Sequence, residues 1–110
     1  VFGFGNRKPI REIMPAELHD MIVAGTAIVV DVREPGEFQG GHVPGAINLP
    51  LSRFDPGQLP QAEGKKIVLN CAAGMRSAKA LKMCGDLPVD THLRGGMGMW
   101  LRTGLPVERG

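Results

Sequence analysis

The 110-residue chain of 11.8 kDa is sized for one domain, and its 43% hydrophobic and 22% charged residues match ordinary globular usage, which argues against a disordered chain. No apolar run approaches the roughly 18 residues of a membrane span, and two cysteines exclude a disulfide-rich scaffold. The formal charge of +2 is too small for a nucleic-acid footprint, and it is uneven: −1 over residues 1–70 and +3 over residues 71–110, so the C-terminal part favours small anions. The chain begins at Val1, so a preceding segment is expected, and a cytoplasmic location is a default expectation only.

Residues 1–5, Val-Phe-Gly-Phe-Gly, are too short for a linker or a core element and are expected to be a frayed or clamped terminus. Residues 10–13 form a short strand candidate. Pro15–Ala24 is expected to be a helix, with Pro at its first turn, Leu18, Met21 and Ile22 on one face, and Gly25 as its stop. Ala27–Asp31 is an apolar run of strand-forming types without polar alternation, the pattern of a strand buried on both faces. Residues 46–48 are a weaker strand candidate, and residues 67–70, Ile-Val-Leu-Asn, repeat the buried-strand pattern. A helix is expected over 77–84, with Ala80, Leu81 and Cys84 at helical spacing and Gly85 as its stop. A weak strand over 89–93 and a third helix over Gly96–Arg102 follow. Strands alternating with helices imply one α/β domain with a parallel sheet covered on both faces. Functional residues in such sheets lie beyond the carboxyl ends of the strands, which here means just after Asp31 and Asn70.

Cys71-Ala72-Ala73-Gly74-Met75-Arg76-Ser77 fills the second of those positions and runs straight into a helix. A cysteine at a strand tip, followed by a short glycine-containing turn and a helix N-terminus, faces a cluster of backbone N–H groups. Such donors stabilise a thiolate and lower its pKa. Arg76 adds a fixed positive charge, Gly74 permits a positive φ, and Ser77 or a neighbour can cap the helix. Taken alone, the loop reads equally well as a buried structural cysteine at a strand end.

Residues 31–50 contain Asp31-Val32-Arg33, then Glu37-Phe38, then Gly41-His42-Val43-Pro44-Gly45-Ala46-Ile47-Asn48-Leu49-Pro50. With the loop Cys71-x-x-Gly74-x-Arg76-Ser77 and the tail Gly95-Gly96-Met97-Gly98-Met99-Trp100 followed by Gly104-Leu105-Pro106-Val107, this resembles the rhodanese homology domain, in order and spacing, over about residues 10–108. The resemblance implies a five-stranded, mostly parallel sheet with helices on both faces, spanning the whole chain as one domain. It implies a sulfurtransferase that moves a sulfane sulfur from a small anionic donor such as thiosulfate to a thiol or cyanide acceptor. Cys71 would carry the sulfur as a persulfide in a ping-pong scheme. The loop backbone of Ala72, Ala73, Gly74, Met75, Arg76 and Ser77 would cradle the outer sulfur, with the Arg76 side chain helping to hold the donor. No metal or organic cofactor is implied, because the persulfide is the carrier. A sulfur-relay or regulatory module acting on a protein partner is the alternative within the same family.

Four residues separate Cys71 from Arg76, whereas the related dual-specificity phosphatases resemble Cys-x5-Arg, a wider cradle suited to a tetrahedral phosphate. Arsenate reduction, known for some relatives, is a further chemistry the resemblance allows. Ala72 and Ala73 stand where some thiosulfate-using members carry basic side chains, so backbone dipoles, Arg76 and Lys79 would supply the anion attraction. The resemblance gives Asp31, Arg33 and Glu37 structural roles, with Arg33 and Glu37 tying the loop after the second strand, and His42 holding a turn. His19 and His92 have no Cys or His at ligand spacing, so no metal site is expected. Cys84, seven residues beyond Ser77, is expected in the core rather than as a resolving thiol.

Overall fold

The computed structural model describes residues 8–110; the expected frayed or clamped terminus at residues 1–5 lies outside them. In chain order the elements are β1 (Arg11–Ile13), α1 (Pro15–Ala24), β2 (Ala27–Asp31), α2 (Pro35–Gln39), β3 (Ile47–Asn48), β4 (Lys66–Asn70), α3 (Met75–Met83), β5 (Thr91–Leu93) and α4 (Gly96–Arg102), with single 3₁₀ turns at Leu51–Arg53 and Pro56–Gln58. The five strands form one sheet in the order β1-β5-β4-β2-β3, and every pairing is parallel. Among the described residues, no helix is long and apolar enough to cross a membrane.

The two apolar runs take the interior of the sheet because they have no polar face to show to water. β2 and β4 pair along their full length, Ala27 against Lys66 through Asp31 against Asn70, so both strands end at the same level. Their alternating side chains feed two cores. Val30, Ile67 and Leu69 pack with Ala80 and Leu81 of α3 and with Cys84 just beyond it on one face. Val29 and Val68 pack with Leu18 of α1 and with Met97 and Trp100 of α4 on the other. Pro15 opens α1 at its first position, where a missing N–H is no loss, and Gly25 closes it at φ 75°.

Sheet and helices differ from the sequence expectation in two informative places. α3 begins at Met75, two residues earlier than expected, because Gly74 turns the chain at φ 107° and itself serves as the N-cap. Ser77 is therefore the third residue of the helix and does not cap it. The short helix α2 had no apolar periodicity to announce it, and none of its five residues is buried. It is held locally, by Pro35 in its first turn and a reciprocal capping box between Glu34 and Glu37.

The tail folds back over the sheet end. Buried Trp100 donates its indole N–H to the Pro106 carbonyl at 2.8 Å, and His42 and Glu108 exchange backbone hydrogen bonds at 2.8 and 2.9 Å. These contacts close the carboxyl end of the sheet, where the loops after β2, β4 and β5 meet.

Candidate active site

Cys71 leaves the end of β4 and is 1% exposed. Its Sγ accepts hydrogen bonds from the backbone N–H of Gly74 at 3.0 Å and of Ser77 at 3.3 Å, and the Ser77 hydroxyl lies 3.4 Å away. Gly74 makes this possible: its left-handed φ curls the chain so that the first amides of α3, which have no intrahelical partner, point back at the sulfur. Burial pushes the Cys71 thiol pKa up. Hydrogen bonds from the Ser77 hydroxyl and from the amides of Ser77, Gly74 and Ala73 outweigh that effect, and the net shift is downward. Cys84, at the end of α3, has burial without such donors, and its pKa is raised.

The loop is clamped from the far side by the start of α4. The amides of Met97 and Gly98 donate to the carbonyls of Cys71 and Ala72 at 2.8 and 3.0 Å. Gly96, at φ 57°, lies so close that a Cβ there would stand 2.6 Å from the Ala72 carbonyl. The tail glycines are thus a packing requirement of the cysteine loop.

Arg76 does not stand free to meet an anion. Its guanidinium makes a bidentate pair with the Glu37 carboxylate, at 2.7 and 2.9 Å. The pair holds the Glu37 carboxyl down to about 2, chiefly through the Arg76 hydrogen bond against a smaller burial effect, with help from the Glu34 amide. Glu37 therefore both caps α2 and ties the loop after β2 to the cysteine loop, a longer reach than the sequence suggested. Arg33 does tie its own loop: it grips fully buried Asp31 through two side-chain nitrogens and donates to the Gly41 carbonyl at 2.7 Å. His42 stacks on Phe38, with ring centroids 3.7 Å apart, and its Nδ1 lies 2.8 Å from the Phe38 carbonyl, which fixes the turn.

Of the residues singled out from the sequence, Cys71, Gly74, Arg76, Ser77 and Glu37 come together at the carboxyl end of the sheet. Asp31, Arg33 and His42 brace them from behind. Ala72 and Ala73 add no charge, and Met75 is 84% exposed at the lip. Among the described residues no three His, Cys, Asp or Glu side chains gather as a metal-ligand set. One neighbour was missed. His92 is 4% exposed, and its Nδ1 lies 2.7 Å from the Ser77 hydroxyl. Spacing could not reveal it, since His92 arrives from β5 and meets Ser77 only through the fold.

The rhodanese-like domain model matches residues 14–103. The chain is 47% identical over 99 residues to the Synechocystis protein slr1261, covering 88% of this chain. It spans 55% of that protein's length, and 46% and 60% of two other bacterial relatives. It is 35% identical to thiosulfate sulfurtransferase 16, chloroplastic, of Arabidopsis thaliana, covering 82% of this chain and 86% of the plant protein. The crystal structure of a rhodanese-related protein from Thermoplasma volcanium superposes with a TM-score of 0.78 at 34% identity, covering 91% of this chain and 99% of that one. On this match of sequence and of fold, the chain belongs to the rhodanese-like domain family.

Proposed function

We propose that the protein is a sulfurtransferase in which Cys71 carries a sulfane sulfur as a persulfide. The observation that supports this most directly is the hydrogen-bonded cradle at Sγ, with donors at 3.0 and 3.3 Å on a loop four residues wide between Cys71 and Arg76. Membership of a family with sulfurtransferases among its members points the same way. In the forward half-reaction the thiolate attacks the sulfane sulfur of a donor such as thiosulfate, and the S–S bond of the donor breaks with its electron pair leaving on sulfite. In the second half, a thiol or cyanide attacks the outer sulfur and Cys71 departs as thiolate. The cradle lowers the energy of the thiolate at both ends of the cycle.

Two features favour a protein thiol, or a persulfide handed over by a protein, as one partner of this exchange. The one charged side chain between Cys71 and Ser77, Arg76, is paired with Glu37, which leaves backbone dipoles and exposed Lys79 to attract a small anion. Met75, 84% exposed beside the cysteine, offers a flexible apolar contact to an incoming partner surface. Mass spectrometry after exposure to thiosulfate, and separately to a persulfidated protein donor, tests the proposal. One added sulfur on the peptide holding Cys71 is expected with at least one of them, and no addition with either would overturn it.

A further inference from the structure

Ser77 is the hinge of a hydrogen-bonded chain that the sulfur-transfer reading does not use. Its hydroxyl sits 3.4 Å from Cys71 Sγ, 2.7 Å from His92 Nδ1 and 3.2 Å from the Gly74 carbonyl. A hydroxyl has a single proton to give. While Cys71 is a thiol, it can donate to Ser77 Oγ, and Ser77 donates onward along the shortest contact, to His92 Nδ1. Once Cys71 is a thiolate, Ser77 must turn its proton toward the sulfur, and Nδ1 of His92 must become the donor to Ser77 Oγ. The charge state of the cysteine and the protonation of Nδ1 are thereby opposed across one hydroxyl.

The surroundings of His92 suit that exchange. The ring is buried on β5, which pairs with β1 on one side and β4 on the other. From β1, Glu12 stands opposite in register, and its carboxylate lies 3.7 Å from Nε2. From the β4 side, Cys71 faces His92 through Ser77, and α3 contributes Ser77 together with the backbone of Gly74, whose Cβ position would lie 3.8 Å from the imidazole Cε1. Arg76 of the same helix is committed to Glu37. Asp90, two residues earlier in the chain, is held by Arg11 and Lys66.

We propose that His92 is a positioning residue for Cys71, taking the thiol proton through the Ser77 hydroxyl so that thiolate formation and His92 protonation are one coupled event. The S–H bond breaks and its proton passes to Ser77 Oγ, while the Ser77 proton passes to the lone pair of Nδ1. The sulfur keeps the electron pair as thiolate, and the imidazolium faces the Glu12 carboxylate at Nε2. Its catalytic value rests on Cys71 being the sulfur carrier, but the relay itself does not. Burial holds the His92 pKa below its ordinary value, against an opposing pull from Glu12, so the resting ring is neutral. Its imidazolium depends on the charges facing it, the Cys71 thiolate through Ser77 and the Glu12 carboxylate at Nε2. Two groups joined in this way titrate as a pair, each step shared between them.

The decisive measurement is the ¹⁵N shift of the His92 ring in the intact protein, followed across pH with Cys71 free and again after Cys71 is capped with iodoacetamide. With the thiol free, a protonated Nδ1 is expected to persist to higher pH, because the thiolate partners the imidazolium through Ser77, and capping Cys71 should move the Nδ1 step to lower pH. An Nδ1 signal that ignores the state of Cys71 would overturn the relay. As a second reading, His92→Asn keeps a hydrogen-bonding partner for Ser77 but cannot take a proton. Its iodoacetamide profile should move to higher pH, with the rate near neutrality about tenfold lower, one pKa unit being tenfold in thiolate. A folded variant whose profile coincides with the parent would also overturn it. Sulfur loading from thiosulfate or a persulfidated protein, run on the same samples, separates the two ideas: coupled titration without loading removes the sulfur-transfer reading alone, and loading without coupling removes the relay alone.

Discussion

Two cysteines of one chain meet opposite fates because of their neighbours. Both are buried, which by itself disfavours a thiolate. Cys71 has two amides and a hydroxyl aimed at its sulfur, and Cys84 packs among Ala80, Leu81 and Val89 with no such donors. Limited iodoacetamide at mildly alkaline pH should therefore modify Cys71 and leave Cys84 untouched, as peptide mapping would read directly. Replacing Cys71 with Ser exchanges the thiol for a hydroxyl that stays protonated, so on the proposed function sulfur loading should disappear with the melting temperature nearly unchanged. Cys84→Ala should cost about 1 kcal/mol, as a small core truncation does, and leave loading intact. Loss of loading in a folded Cys84→Ala protein would point instead to a two-thiol mechanism.

Glu37 governs how much of the Arg76 charge the sulfur feels. With its carboxyl held at about 2 rather than near 4.5, the pair contributes fully above pH 4.5, and its contribution is lost as pH falls from there toward 2. Because the Glu37 side chain is 40% exposed, that contribution is small, on the order of 0.2–1 kcal/mol. Its electrostatic consequence is easier to see. Glu37→Gln keeps a carbonyl for the Glu34 amide and releases the guanidinium, so the site should become more attractive to anions. The rate of Cys71 modification by anionic iodoacetate, relative to neutral iodoacetamide, is expected to rise by roughly two- to fivefold, the range of an exposed ion pair, and to fall back with salt. An unchanged ratio would mean that the Arg76 charge does not reach the sulfur.

At the scale of elements, the cysteine loop holds its shape because α4 begins against it. Gly96→Ala would place a Cβ 2.6 Å from the Ala72 carbonyl and force a side chain into the left-handed region, at φ 57°. The backbone term alone is about 1–2 kcal/mol, and separation of α4 from the loop adds the hydrogen bonds of Met97 and Gly98. Lower stability in a thermal melt and a Cys71 thiol returning toward ordinary alkylation behaviour should appear together. A variant as stable as the parent would show that the turn relaxes freely. The sequence already marked this glycine through its family pattern, and it marked β2, β4, α1 and α4 through apolar runs, Pro and Gly. It did not mark α2, whose five residues bury nothing, and it left the cap open between Ser77 and a neighbour because the turn made by Gly74 cannot be counted from spacing. Long-range pairs were illegible for the same physical reason. Glu37 with Arg76, and Ser77 with His92, are joined by tertiary packing across 39 and 15 residues.

For the whole molecule, the buried ion pair of Asp31 and Arg33 is the joint between the sheet and its closing loops. Asp31 is fully buried, and its carboxylate accepts from the Arg33 backbone amide as well as from its guanidinium. Arg33 then reaches the Gly41 carbonyl, next to the His42 backbone that pairs with Glu108 of the tail, and Asn48 of β3 binds the carbonyls of both Asp31 and Arg33. Removing one member leaves the other as an unpaired buried charge, so Arg33→Ala should destabilise by about 3–5 kcal/mol in urea unfolding. The attraction within such a pair is largely offset by the desolvation of both ions. A double variant, Asp31→Asn with Arg33→Met, should therefore recover a substantial part of the loss, with a non-additive cycle as the signature. Arg33→Ala within 1 kcal/mol of the parent would show that water reaches Asp31 on its own. A double variant no better than Arg33→Ala would instead assign the stability to the hydrogen bond with Gly41, and to the closure of the tail that depends on it.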